Sequence, residues 1–180
     1  MIFLFETLAT AAVYAYLSWK FFNASEKNIG DLEKLCRNKI AGLILSLPCA
    51  LLCVPLAIPV SPGFLIPLLY PLAVILPVLC YFYIDYYASR GLAFLLILWA
   101  YDAIHAGFEA KIPGSAVVTV IALILGTAGI WLSAKPCSLR DLLRKAAVSK
   151  KYRYPAAAAA AAGAITAFYV LIMNIGVLVK

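Results

Sequence analysis

Residues 40–84 read IAGLILSLPCALLCVPLAIPV, SPG, FLIPLLYPLAVILPVLCYFYI, and this stretch of 45 residues contains no Asp, Glu, Lys, Arg or His. Two apolar runs of 21 residues lie either side of Ser61-Pro62-Gly63. Each run is long enough to cross a hydrocarbon core of about 30 Å as an α-helix, and the Ser-Pro-Gly break is a turn between them. The stretch therefore predicts a helical hairpin inside a bilayer. A water-soluble core would not need two such runs in succession.

Working outward, the same pattern recurs. Apolar blocks at about 2–22, 91–110, 116–134 and 156–179 join the hairpin blocks 40–60 and 64–84 to give six candidate spans. Composition agrees, with 66% hydrophobic and 13% charged residues and a mean hydropathy of +0.99, against about 25% charge in water-soluble domains. The expected fold is all-α: a polytopic six-transmembrane-helix bundle forming a single transmembrane domain over 1–180. The segments between spans reach only about 21 residues, which leaves no room for a soluble catalytic or nucleotide-binding domain. Five cysteines without a CxxC pair make no disulfide framework. A single histidine, His105, cannot build a multi-histidine metal or haem site, so no metal and no cofactor is expected.

The formal charge of +7 is read by position, not as a nucleic-acid footprint. With six spans, the segments after spans one, three and five share one side, and they carry Lys20, Lys27, Lys34, Arg37 and Lys39, then Arg90, then Lys135, Arg140, Arg144, Lys145, Lys150, Lys151 and Arg153. The opposite side has Lys111 and Lys180 alone. Thirteen against two predicts, by the positive-inside rule, a multi-pass protein of the cell membrane with both termini outside. Trp19, Trp131 and the Tyr81–Tyr87 aromatics fall at the same expected cytoplasmic interface.

Within the fourth span, Asp102, His105 and Glu109 are the only ionisable cluster inside the expected membrane. At 100° per residue Asp102 and Glu109 are about 20° apart and His105 about 60° from Asp102, so the three share one stripe, with Asp102 near the midplane. Glu6 of the first span falls near the depth of His105. A carboxylate in hydrocarbon is costly, which makes the stripe, with Glu6, the candidate ion, proton or substrate site. The same groups read structurally would be Glu109 paired with Lys111 and a protonated Asp102 bonded to a neighbouring helix.

Four further features are legible. Pro48, Pro55, Pro59, Pro67, Pro71 and Pro77 each remove a backbone donor and predict bent helices in the hairpin, either packed or opened around a site. Ala159, Gly163 and Ala167 recur every four residues and predict a close helix contact, within the bundle or with another subunit. Between spans five and six, Leu139, Leu142, Leu143 and Ala146 form an apolar stripe, which predicts an amphipathic helix on the cytoplasmic surface over 138–151. Its Arg140, Arg144, Lys145, Lys150, Lys151 and Arg153 are candidates for anionic lipid, at about 1 kcal/mol each near the surface. Asp31–Arg37, with Leu32 and Leu35, is a shorter counterpart.

Six spans and a small Ala11/Ala15 face resemble the substrate-binding components of energy-coupling-factor vitamin transporters, but their first helix starts in the cytoplasm and the charge count here places it outside. Asp85, Arg90 and Asp102 do not reproduce the DG and AR motifs of CDP-alcohol phosphotransferases, and Gly30-Asp31 lies in a loop where prepilin peptidases need the pair within a span. No family is assigned. The sequence predicts a transport or channel protein, or the membrane subunit of a larger assembly. Its partners would be the bilayer, anionic lipid, and a second copy or other subunits. The alternatives are an intramembrane enzyme acting on a lipid, with Asp102 or Glu109 and His105 as acid and base, and a structural scaffold.

Overall fold

The computed structural model describes the backbone of residues 2–109 and 115–178 and the side chains of 7–105, 108 and 116–172. Among the described residues the chain is helical without a strand: α1 (Ile2–Phe22), α2 (Ile29–Arg37), α3 (Lys39–Ala57), α4 (Ile66–Tyr83), α5 (Tyr87–Glu109), α6 (Ser115–Ala134), α7 (Cys137–Val148) and α8 (Lys150–Leu178). Four of these segments are long and apolar enough to cross a membrane: Lys39–Val60, Ile66–Tyr83, Ala116–Ala134 and Lys150–Ile172. α1 and α5 have 21 and 23 residues. α1 packs along α8 and α5 along α6, and these are the two most extensive pairings in the molecule. α5 is the hub, touching α1, α2 and α3 as well.

Small residues set how closely the helices approach. A Cβ on Gly129 would stand 3.0 Å from the Ala93 carbonyl oxygen, and one on Gly126 would stand 2.9 Å from the Ala100 Cβ. α5 and α6 therefore meet nearly backbone to backbone, with Ala93 at Gly129 and with Ala100 and Ala103 clustered with Ala122. α3 crosses α5 in the same way, because a Cβ on Gly42 would lie 2.6 Å from the Tyr87 backbone. At that crossing the Tyr87 hydroxyl donates to the Pro77 carbonyl at 2.8 Å and also bonds the Ser46 hydroxyl, which ties α3, α4 and α5 together.

The hairpin turn is wider than three residues. α3 runs through Pro48 and Pro55, a 3-10 turn covers Ile58–Val60, and α4 starts at Ile66, with the Leu65 N–H closing onto the Pro62 carbonyl at 2.9 Å. Pro59 and Pro62 cannot donate, so the chain leaves the helix there. The final helix also departs from expectation. It begins at Lys150, not at Pro155, and runs through the proline. Arg153 is the reason: its Nε and Nη2 donate to the Ala146 and Ala147 carbonyls at 3.0 and 2.9 Å, satisfying the open end of α7 from the first turn of α8.

The expected small face on α8 holds at Gly163 and Ala167 and fails at Ala159, whose place is taken by Ala160. Ala160, Gly163 and Ala167 are buried, with Gly163 against the Tyr14 ring, while Ala159 is exposed. The contact is intramolecular, between α8 and α1, and the Ser18 hydroxyl reinforces it by donating to the Ala157 carbonyl at 3.1 Å.

Candidate functional site

α2 and α7 sit together at one end of the bundle. Asn38 makes α2 possible beside α3: it ends the first helix, and its side chain accepts from the Ile40 and Ala41 N–H groups at 3.0 and 3.1 Å, capping the second. Both short helices are amphipathic, and much of the apolar face of α7 is turned onto protein, while Leu142 stays exposed. Leu143, Ala146 and Ala147 are buried in one cluster with Leu32 and Cys36 of α2 and with Leu92 and Ala93 of α5. The stripe was legible, but what it buries against was not: a second amphipathic helix stands 100 residues earlier in the chain, and burial against protein removes both apolar faces from solvent at once. Burial also pushes the Cys36 thiol up to about 11, with the Ser89 hydroxyl beside it opposing the shift.

The basic residues of this end divide into two groups. Arg144 forms an ion pair with Glu33 of α2 at 2.7 Å. Arg140 grips Asp141 at 2.8 Å and donates to the Tyr86 hydroxyl at 2.7 Å. Arg153 caps α7. Lys145 lies 6.0 Å over the Tyr152 ring, and Lys150 and Lys151 are exposed. The guanidinium groups of Arg37 and Arg140 stand 5.4 and 5.6 Å from the Tyr86 ring centroid. Tyr86 has φ 55, in the left-handed region, so the turn from α4 into α5 is a strained corner held by two arginines.

At the opposite end, Asp102 is half-buried on α5 and His105 is exposed. His105 is occupied locally: Nδ1 bonds the Tyr101 carbonyl at 2.8 Å, and the ring stacks on Tyr101 at 4.0 Å between centroids. No ion pair joins Asp102 to His105 among the described residues, and the side chains of Glu6 and Glu109 lie outside them. Sequence reasoning missed a set of buried polar groups on α1 and α5. Thr7, Thr10 and Trp99 are fully buried, and the Thr10 hydroxyl and the Trp99 indole N–H have no hydrogen-bond partner. The signal was present in α1, where Thr7, Thr10, Tyr14 and Ser18 follow one another at intervals of three and four residues.

Two cavities stand out. One, of about 420 Å³, lies between α3, α4 and α5 around Cys53, Pro77, Cys80 and Phe94. The other, of about 780 Å³, is walled by α1, α5, α6 and α8 and roofed by α7. No group of three or more metal-ligating side chains occurs among the described residues. The chain matches no known family model, and neither a curated protein nor a solved structure matches it.

Proposed function

We propose that this chain is a six-span integral membrane protein of the transport class, or the membrane subunit of a larger assembly, with both termini outside and the α2–α7 end in the cytoplasm. Counting α1 and α5 as the other two spans is supported by their packing: α1 lies along α8 and α5 along α6, each one of the four long apolar helices. The charge split of thirteen to two sets the direction. α3 and α4 are the proline-bent hairpin, and Lys150 and Lys151 are the residues free to meet anionic lipid at the inner surface.

The observation that carries a transport role is buried polarity without a structural use. Asp102 sits at the level of Trp99 and Ala103 on the hub helix, and Thr10 and Trp99 offer buried hydrogen-bonding groups with no protein partner. Leaving such groups unpaired costs about 1–3 kcal/mol each, and an ion, proton or polar substrate in the outer half relieves that cost. By helical spacing alone, His105 and Glu109 follow Asp102 toward the outer end of the fourth span, and Glu6 falls near the depth of His105 in the first.

Purified protein in liposomes, assayed for proton and monovalent-cation flux with a pH-sensitive dye and imposed gradients, tests the reading. Asp102→Asn should abolish the flux while thermal unfolding stays unchanged, because the amide keeps the shape and still hydrogen-bonds. Equal flux in the wild type and this variant overturns the assignment of the site. Labelling of Cys137 by a membrane-impermeant thiol reagent from outside intact cells overturns the topology.

A further inference from the structure

The cavity of about 780 Å³ lies in the other half of the molecule from Asp102, and its two ends differ chemically. The walls are apolar, from Leu17, Leu92, Leu96, Leu125 and Ala160, and the mouth under α7 presents Ser138, Asp141 and Lys145. α6 and α8, which flank it, touch each other little, so the groove opens sideways between them. We propose that this cavity binds a long-chain monocarboxylate from the surrounding leaflet, with the carboxylate at Lys145 and Ser138, the chain along the leucines, and an acceptor part-way along the chain at the Tyr14 hydroxyl.

Three observations lead to that occupant. The volume lies within the range of about 300–1,000 Å³ typical of small-molecule sites, and an apolar body with a few polar groups at one end is the lining such sites have. The charge at the mouth suits a single negative group. Arg140 already holds Asp141 at 2.8 Å, and Lys145, 6.0 Å over the Tyr152 ring, has no ion pair among the described residues to compete with a ligand. The arginines that would favour a bidentate phosphate are engaged elsewhere: Arg144 with Glu33, Arg153 with the end of α7, and Arg140 with Asp141 and Tyr86. With a single lysine at the mouth, the charge there matches a monoanion such as a carboxylate and falls short of a dianionic phosphate group.

The third observation is Tyr14. It lines the cavity and is 6% exposed, and its hydroxyl has no hydrogen-bond partner. Phe21, at the mouth end of the same wall, is seven residues later, so Tyr14 lies about 10 Å deeper along α1. A purely aliphatic chain would leave this donor unsatisfied, whereas a hydroxyl, oxo or amide group on the chain pairs with it.

The test uses the full chain in nanodiscs of zwitterionic phosphatidylcholine, with dansylamino-undecanoic acid as the fluorescent probe and laurate and dodecanol as competitors. The wild type should bind the probe with increased dansyl emission, and laurate should displace it better than dodecanol. Lys145→Gln should weaken probe and laurate about tenfold, the worth of one charge-assisted hydrogen bond, and leave dodecanol unchanged. Tyr14→Phe should weaken the probe, which carries sulfonamide oxygens, and not laurate. Ala159→Trp or Leu125→Trp, whichever keeps the wild-type unfolding temperature, should fill the groove and abolish binding. Probe affinity unchanged in Lys145→Gln, or in a folded groove-filling variant, overturns the proposal, as does equal displacement by laurate and dodecanol. Asp102→Asn should leave probe binding intact, so the outcome here is separable from that of the flux assay.

Discussion

α4 and α5 follow each other in the chain with only three residues between them, yet they are packed in opposite ways. α4 carries no charge and buries only Ala73 and Pro77, while Leu76, Leu79 and Phe82 stay exposed. α5 carries Arg90, Asp102, His105 and Glu109, and it is the most enclosed helix, with Leu92, Ala93, Leu95, Leu96, Leu98, Trp99, Ala100 and Ala103 all buried. In water the order would be reversed, because the apolar helix would hide and the charged one would surface. The difference teaches that burial here follows from fit to neighbouring helices, not from apolarity. A hydrocarbon solvent receives the leucines of α4 as readily as protein does, so what encloses α5 is its close fit to the helices around it.

The largest test of this contrast is Trp99→Ala. Trp99 is 0% exposed at the centre of α5, and truncation should cost about 3–5 kcal/mol, read as a lowered unfolding midpoint in detergent or nanodiscs. A loss below about 1 kcal/mol would mean that α5 is not the core of the bundle. Gly42→Ala comes next. Its Cβ would meet the Tyr87 backbone at 2.6 Å, where nothing can rotate away, and overpacking of this kind costs about 1–3 kcal/mol. Thermal unfolding measures it, and a neutral result would show that α3 can slide off α5. The smallest effect belongs to α4. Leu76 is 53% exposed, so Leu76→Ala should fall within about 0.5 kcal/mol of the wild type by the same measurement. A loss as large as that of Trp99→Ala would erase the contrast and mean that α4 is covered by another chain.

Much of the helical layout is readable from run length alone, because the distance across a hydrocarbon core fixes how many apolar residues are needed. The bounds of α1, α3 and α6 follow from it to within one to three residues. What fails is anything decided by a distant partner. α7 reveals an apolar face but not α2, which meets it through Leu32 and Glu33, more than a hundred positions earlier. Pro155 looks like a helix start until Arg153 is found turned back onto α7. Ala159 and Ala160 are chemically identical in the sequence, and only the Tyr14 ring on Gly163 sets which one is inside. Of the candidate site, Asp102 and His105 are visible as charges in an apolar run, whereas Thr10, Tyr14 and Trp99 matter through missing partners, which no pattern of residue types records. The large cavity is likewise a product of packing, lined by leucines and alanines that look like any others.

The pairing of α1 with α8 joins the first helix to the last, and it sets a timetable as well as a shape. There are 127 residues between the end of α1 and the start of α8. At about 5–20 residues per second, synthesis of that interval takes roughly 6 to 25 seconds. Throughout it Thr7, Thr10, Tyr14 and Ser18 lie along a helix whose main partner has not been made. Until α8 arrives to cover it, α1 is therefore an incomplete surface with a polar edge.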